Sequence, residues 1–155
     1  MSFVAIYTIG RLKHSIEHPS TSEFFEAGYK VIRQADVSGN LVKEFSPLGV
    51  PFPEELIKGD GTPILTLTVW KSLESLYRFT YSGQHQRALR NRHKWFDMHQ
   101  GKLPSYVVWW TEEVADVSWE EAYKRYTYYL QHGPTPYAFD YKQAFDQEGE
   151  RFLFK

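Results

Sequence analysis

Residues Phe3 to Ile9 alternate Phe3, Ala5, Tyr7 and Ile9 with Val4, Ile6 and Thr8, and both sets are largely apolar. That is the pattern of a strand covered on two faces, so a central strand is expected. Ser20-Thr-Ser-Glu23 then has capping-box spacing, and Phe24, Phe25, Gly28, Val31, Ile32 and Ala35 follow at helical intervals. A first helix is predicted over roughly 21 to 36. Ser38-Gly39-Asn40 signals a turn before a short second strand, Leu41 to Phe45, and the prolines and glycines between 46 and 62 predict a long loop. Ile64 to Trp70 is β-rich and ends at Ser72, which can cap a helix carrying Leu73, Leu76, Tyr77 and Phe79. After Ser82-Gly83 another helix is predicted to about Trp95, with His85, Ala88, Leu89, Arg92 and Phe96 at i, i+3, i+4, i+7 and i+11, so His85 is expected to face inward. Tyr106 to Trp110 is the last strong strand. Ser118-Trp-Glu-Glu121 opens a helix that His132-Gly133-Pro134 stops.

The order is β-α-β-β-α-β with an added carboxy-terminal helix, the split βαβ pattern of a ferredoxin-like α+β sandwich in a single domain, 1–155. Helices on one face of such a sheet leave the other needing cover. Pairing two sheets into a dimeric α/β barrel supplies it; a monomer with its aromatic tail folded over that face is the alternative. The tail from about 135 carries too many aromatics for a solvated linker and is expected to pack on the domain or its partner. No internal repeat or low-complexity tract interrupts the pattern.

Composition narrows the partners. Basic and acidic side chains nearly balance, 18 against 19, so no global field draws in nucleic acid or an anionic membrane, and neither is expected as a partner. Without cysteine there are no disulfides, thiolate metal sites or cysteine nucleophiles, which fits the cytoplasm. The amino terminus has no basic region before its apolar stretch, and no run of 18 apolar residues occurs. Secretion and membrane spanning are not expected. Aromatic residues make up 17% of the chain, enough to fill a core and also to line a ligand cavity or an association surface.

The densest constellation for chemistry is Trp70-Lys-Ser72, Phe79-Thr-Tyr81-Ser82, His85, Arg92 and Trp95-Phe96. The spacing of His85 and Arg92 places them on one helix face two turns apart, and Trp70 ends the strand leading into the preceding helix. An imidazole in that setting can be a general base, a ligand to haem iron, or a structural hydrogen-bond donor. His85 is the candidate catalytic residue, and a metal ligand only if haem is bound. Trp70, Phe79, Tyr81, Arg92 and Trp95 are the candidate ligand-binding residues. Weaker signals read as structural. His14 and His18 have a metal-ligand spacing but fall in a loop before Pro19. Arg87, Arg90, Arg92 and Lys94 read as a solvated face, and the acidic pairs Glu112-Glu113 and Glu120-Glu121 follow a strand and sit at a helix amino terminus. Trp109 and Trp110 must point to opposite sides of their strand, so at most one can meet a helix-side cavity. Phosphate loops, dinucleotide turns, nucleophile elbows and zinc motifs are absent from the sequence.

Val69-Trp70-Lys-Ser72, Phe79-Thr-Tyr81-Ser82-Gly-Gln-His85, Arg92-His-Lys-Trp95-Phe96, Trp109-Trp110 and His132-Gly133-Pro134-Thr135-Pro136 together resemble a bacterial family, domain of unknown function 3291, over nearly the whole chain. The resemblance implies membership of the dimeric α/β barrel group, which includes antibiotic-biosynthesis monooxygenases and haem-degrading enzymes. The order of Trp, Phe-x-Tyr, His and Trp-Phe is also similar to that of the haem-binding spheroidene monooxygenases, a likeness that gives His85 the proximal-ligand position.

The resulting expectation is a cytoplasmic homodimer with an aromatic cavity for a hydrophobic or planar ligand, with haem as the candidate cofactor of a monooxygenase. The alternative is a non-catalytic small-molecule binding or stress-associated dimeric module.

Overall fold

A computed structural model describes residues 2–46, 53, 61–97 and 103–154. Strand β1, Phe3–Arg11, is followed by helix α1, Pro19–Ser38, and strands β2, Leu41–Glu44, and β3, Pro63–Trp70. Helices α2, Leu73–Thr80, and α3, Gly83–Trp95, lead to β4, Tyr106–Thr111, and then to α4, Trp119–His132. A hairpin of β5, Ala144–Phe145, and β6, Arg151–Phe152, ends the chain. The four main strands form one antiparallel sheet in the order β2-β3-β1-β4, so β1 is internal, as its doubly apolar pattern requires. Within the chain the sheet stays open rather than closing into a barrel. Of the predicted 46–62 loop, most lies outside the described residues.

Alternation along the strands divides the core in two. One half gathers Ala5, Tyr7, Ile9, Leu67, Val69, Val107 and Trp109 beneath Trp119, Ala122 and Tyr126 of α4. The other gathers Val4, Ile6, Trp70 and Val108 beneath Ala35 of α1 and Leu73 and Leu76 of α2. Registers set the rows: Val4 pairs with Trp70 on one side and Trp110 on the other, and Ala5 pairs with Val69 and Trp109. The sheet face that the sequence left bare is therefore covered by α4 of the same chain. The tail packs on the opposite, helix side: Phe139 exchanges backbone hydrogen bonds with Val108 at 2.8 and 2.9 Å, and Tyr141, Phe145, Phe152 and Phe154 join the second core.

Helix termini show which local signals prevailed. The capping box expected at Ser20 is not what opens α1. His18 is the N-cap instead, its Nδ1 accepting the Ser20 N–H at 3.1 Å. Pro19 explains the earlier start, because its fixed φ suits the first helical position and its missing N–H costs nothing there. At α2 the expected cap holds, with Ser72 Oγ accepting the Ser75 N–H at 3.1 Å and Ser75 Oγ accepting the Ser72 N–H at 3.3 Å. α3 is capped from outside itself: Gln34 of α1 accepts the Gln84 N–H through Oε1 at 2.6 Å. Gly83 sits at φ +50, which favours glycine, and a Cβ there would come within 2.4 Å of that amide oxygen and displace the capping side chain.

Candidate functional site

The bend between α2 and α3 holds the only inward histidine among those described. Thr80 is the last residue of α2, and its carbonyl is one of the acceptors that a helix end leaves without a partner in the helix. His85, one turn into α3, approaches that carbonyl with Nδ1 at 2.8 Å. As the carbonyl can only accept, Nδ1 carries the proton and Nε2 is left with a lone pair. The imidazole packs against Phe79 at 5.2 Å between ring centroids, and Phe79 packs against Trp70 at 4.6 Å. The Trp70 indole is fixed by donating its Nε1–H to Thr68 Oγ1 at 2.8 Å. Burial drives the His85 pKa down, against the smaller upward pull of the Thr80 hydrogen bond, so the neutral ring is favoured.

Thr80 also links this group to a second. Its hydroxyl donates to the Leu76 carbonyl, so the Tyr141 phenol, 2.9 Å away, is the donor to Thr80 Oγ1. Around Tyr141 lie Tyr77, Tyr106 and Tyr81, with ring centroids at 5.2, 5.1 and 6.0 Å, and Phe154 stacks on Tyr77 at 3.9 Å. Tyr106 accepts the Tyr141 N–H at 3.0 Å. Burial pushes the Tyr106 and Tyr141 phenols well above the usual tyrosine range, so both are neutral hydrogen-bonding groups. Tyr81, 46% exposed, forms the solvent edge of the cluster. Its pKa is raised by burial and by Tyr77, against the opposing charge of Arg92.

The six residues singled out by sequence thus fall into three places. Trp70, Phe79 and His85 form one stack. Tyr81 belongs instead to the tyrosine cluster, against Tyr77 and Tyr141, and Arg92, whose charge acts on Tyr81, is exposed and in no ion pair among the described residues. Trp95 is elsewhere, ten residues from His85 and so about 15 Å along α3, where it meets Phe24 at 5.7 Å and has a buried Nε1–H with no acceptor among the described residues. Trp110 is the tryptophan on the helix side, donating to the Phe145 carbonyl at 2.8 Å. Trp109 is buried against the α4 side.

Sequence reasoning missed Tyr106 and Tyr141 and, though it included Thr80 in the constellation, gave it no role. Tyr141 registered only as part of an aromatic tail, and nothing local indicates that it reaches back 61 residues to α2. The remaining described histidines stay apart from this site. His14 and His18 stack face to face at 3.8 Å, an arrangement that does not converge two ring nitrogens on one ion. His93 and His132 are exposed, and His99 lies outside the described residues. Among the described residues, no three His, Asp or Glu side chains are grouped to hold a metal ion.

The donor at His85 suits a haem iron, since a ligating imidazole commonly anchors its other nitrogen on a carbonyl. Two surface concavities lined by described residues, one along α1 and one between α2, Trp110 and the tail, do not include His85.

Residues 3–153 match the family described as Domain of unknown function (DUF3291). The chain belongs to that family. Among curated proteins none matches it, so its likeness to the spheroidene monooxygenases rests on the motif order alone. This DUF3291 chain has no helix, among the described residues, that is long and apolar enough to cross a membrane.

Proposed function

We propose that this DUF3291 chain is a cytoplasmic small-molecule binding module of ferredoxin-like topology. Its ligand is planar or hydrophobic with an anionic group, and its site is the stack at the α2–α3 bend. The strand order β2-β3-β1-β4, with α1 and the α2–α3 pair as crossovers, supports the topology. One observation carries the functional reading: the Nδ1–H of His85 is committed to Thr80, which holds a neutral ring whose Nε2 is unclaimed among the described residues, packed on Phe79, which in turn packs on Trp70. In the ligand complex Nε2 accepts a hydrogen bond, Phe79 and Tyr81 supply apolar contact, and Arg92 pairs with the anionic group. The same imidazole is correctly charged to act as a general base, but no oxidising step is assigned to it. Binding without catalysis is the better reading because the neighbouring tyrosines are held neutral and Trp70 is already hydrogen-bonded.

Titration with anilinonaphthalene sulfonate, a planar anionic dye, tests this reading. Wild-type protein and a His93→Ala control should bind it equally, while His85→Ala and Arg92→Gln should each weaken binding about tenfold. Samples should be compared at equal folded fraction. Wild-type affinity in a well-folded His85→Ala variant would remove the stack from the site. A Soret band after incubation with haem, lost in the same variant, would establish haem as the ligand and overturn the assignment of a non-catalytic binding module.

A further inference from the structure

α1 turns toward solvent a face that the fold does not use. Its inner side provides Thr21, Phe24 and Ala35, of which Phe24 packs on Trp95 and Phe96 at 5.7 and 5.1 Å. On the outer side Ser22, Glu26, Tyr29 and Arg33 recur at i, i+4, i+7 and i+11, a single stripe along the helix. Phe25 flanks the stripe. Tyr29 is 65% exposed and Phe25 45%, and with Ser22, Glu26 and Lys30 they line a shallow concavity. Two large aromatic rings side by side in water, on a helix whose core contacts are made elsewhere, mark an association surface.

We propose that a second copy of this chain docks here, α1 against α1, antiparallel about a two-fold axis beside Tyr29. Charge decides the occupant. Glu26 precedes Tyr29 on the stripe and Arg33 follows it, at nearly equal distances. Antiparallel pairing sets Glu26 of each copy against Arg33 of the other, twice by symmetry, with the tyrosine rings between them. Parallel pairing would set like against like. Neither Glu26 nor Arg33 forms an ion pair within the described part of the chain. Arg33 instead lies 6.0 Å from the centre of the Tyr29 ring, at the seam itself. The sheet face is no rival surface, since α4 covers it. A helix of 20 residues is about 30 Å long, enough to seat several turns of such a seam. The proposal is independent of the ligand reading, which involves none of these residues.

Light scattering and sedimentation across micromolar concentrations test it, with circular dichroism to verify folding. The wild-type chain should have twice the mass of one copy. Glu26→Arg, Arg33→Glu and Tyr29→Lys should each yield monomers, and the double variant Glu26→Arg/Arg33→Glu should return the dimer. A wild-type monomer at all concentrations overturns the proposal and leaves the face to a foreign partner. A dimer that survives Glu26→Arg and Tyr29→Lys overturns it by placing the contact elsewhere, and failure of the double variant to reassociate overturns the paired-charge seam.

Discussion

His85 closes the bend between α2 and α3 by giving its Nδ1–H to the carbonyl oxygen of Thr80, 2.8 Å away. The bond satisfies a helix-end carbonyl and fixes the tautomer at once, so one interaction serves both the fold and the proposed site. His85→Ala should cost about 1–3 kcal/mol, the range for a buried hydrogen-bonding group left unpaired. Denaturant unfolding measures it, and a loss well below that range would mean that water replaces the imidazole.

The same burial makes stability depend on pH. The folded-state pKa of His85 lies below the ordinary 6.5. Above 6.5 the ring is neutral in both states and its contribution is complete. As pH falls below 6.5 the unfolded chain takes up a proton that the folded chain does not, so stability declines until the folded pKa is passed. Unfolding midpoints measured on acidification should fall through this window. In His85→Gln that limb should flatten, and an unchanged slope would assign it to other groups.

Elements whose evidence is local were legible in the sequence. β1, β3 and β4 announce themselves through apolar runs, and Ser72 and Ser118 mark true helix starts, Ser118 Oγ accepting the Glu121 N–H at 3.1 Å. What escaped was pairing across distance. The apolar positions Trp119, Ala122 and Tyr126 of α4 form a readable stripe, but which sheet face they meet is set by the direction in which the chain leaves β4. Helical spacing likewise gave the side of α3 on which His85 lies, while the rise of the helix carried Trp95 away from it. The tail aromatics are legible as core but not as neighbours of Thr80.

At the start of α1 the sequence pattern offered Ser20 as the cap, and the structure uses His18 instead. His18→Ala should therefore destabilise by about 1 kcal/mol, whereas His18→Asp should retain most of the cap. Thermal or denaturant unfolding distinguishes these outcomes. If Ser20→Ala costs more than His18→Ala, the capping assignment is reversed.

Burial of Tyr7, Tyr106 and Tyr141 raises their pKa values well above 10. Below about pH 10 each is neutral whether the chain is folded or not. Above it the unfolded chain loses phenolic protons that the folded chain keeps, so stability should fall as pH rises. Ultraviolet absorbance should show two groups of tyrosines: exposed ones ionising near pH 10, and a slower group appearing only as the protein unfolds. A single early step for every tyrosine would contradict the buried cluster.

The tie between α4 and the tail rests on Tyr129, whose phenol donates to Asp140 Oδ2 at 2.6 Å, while Asp140 Oδ1 accepts the Gln143 N–H at 2.8 Å. A short bond to a carboxylate is stronger than one between neutral groups. Both residues are only half-buried, however, so water can replace part of what a deletion removes. Tyr129→Phe should cost about 1 kcal/mol, and Asp140→Ala, which also frees the Gln143 N–H, about 2–3 kcal/mol. Because each deletion breaks the same bond, their costs should not add. A double-mutant cycle measured by denaturant unfolding should return a coupling of about 1 kcal/mol. Strict additivity would mean that the Tyr129–Asp140 bond does not tie α4 to the tail, leaving Arg125, which donates to the Tyr137 carbonyl at 2.8 Å, as the polar link between them.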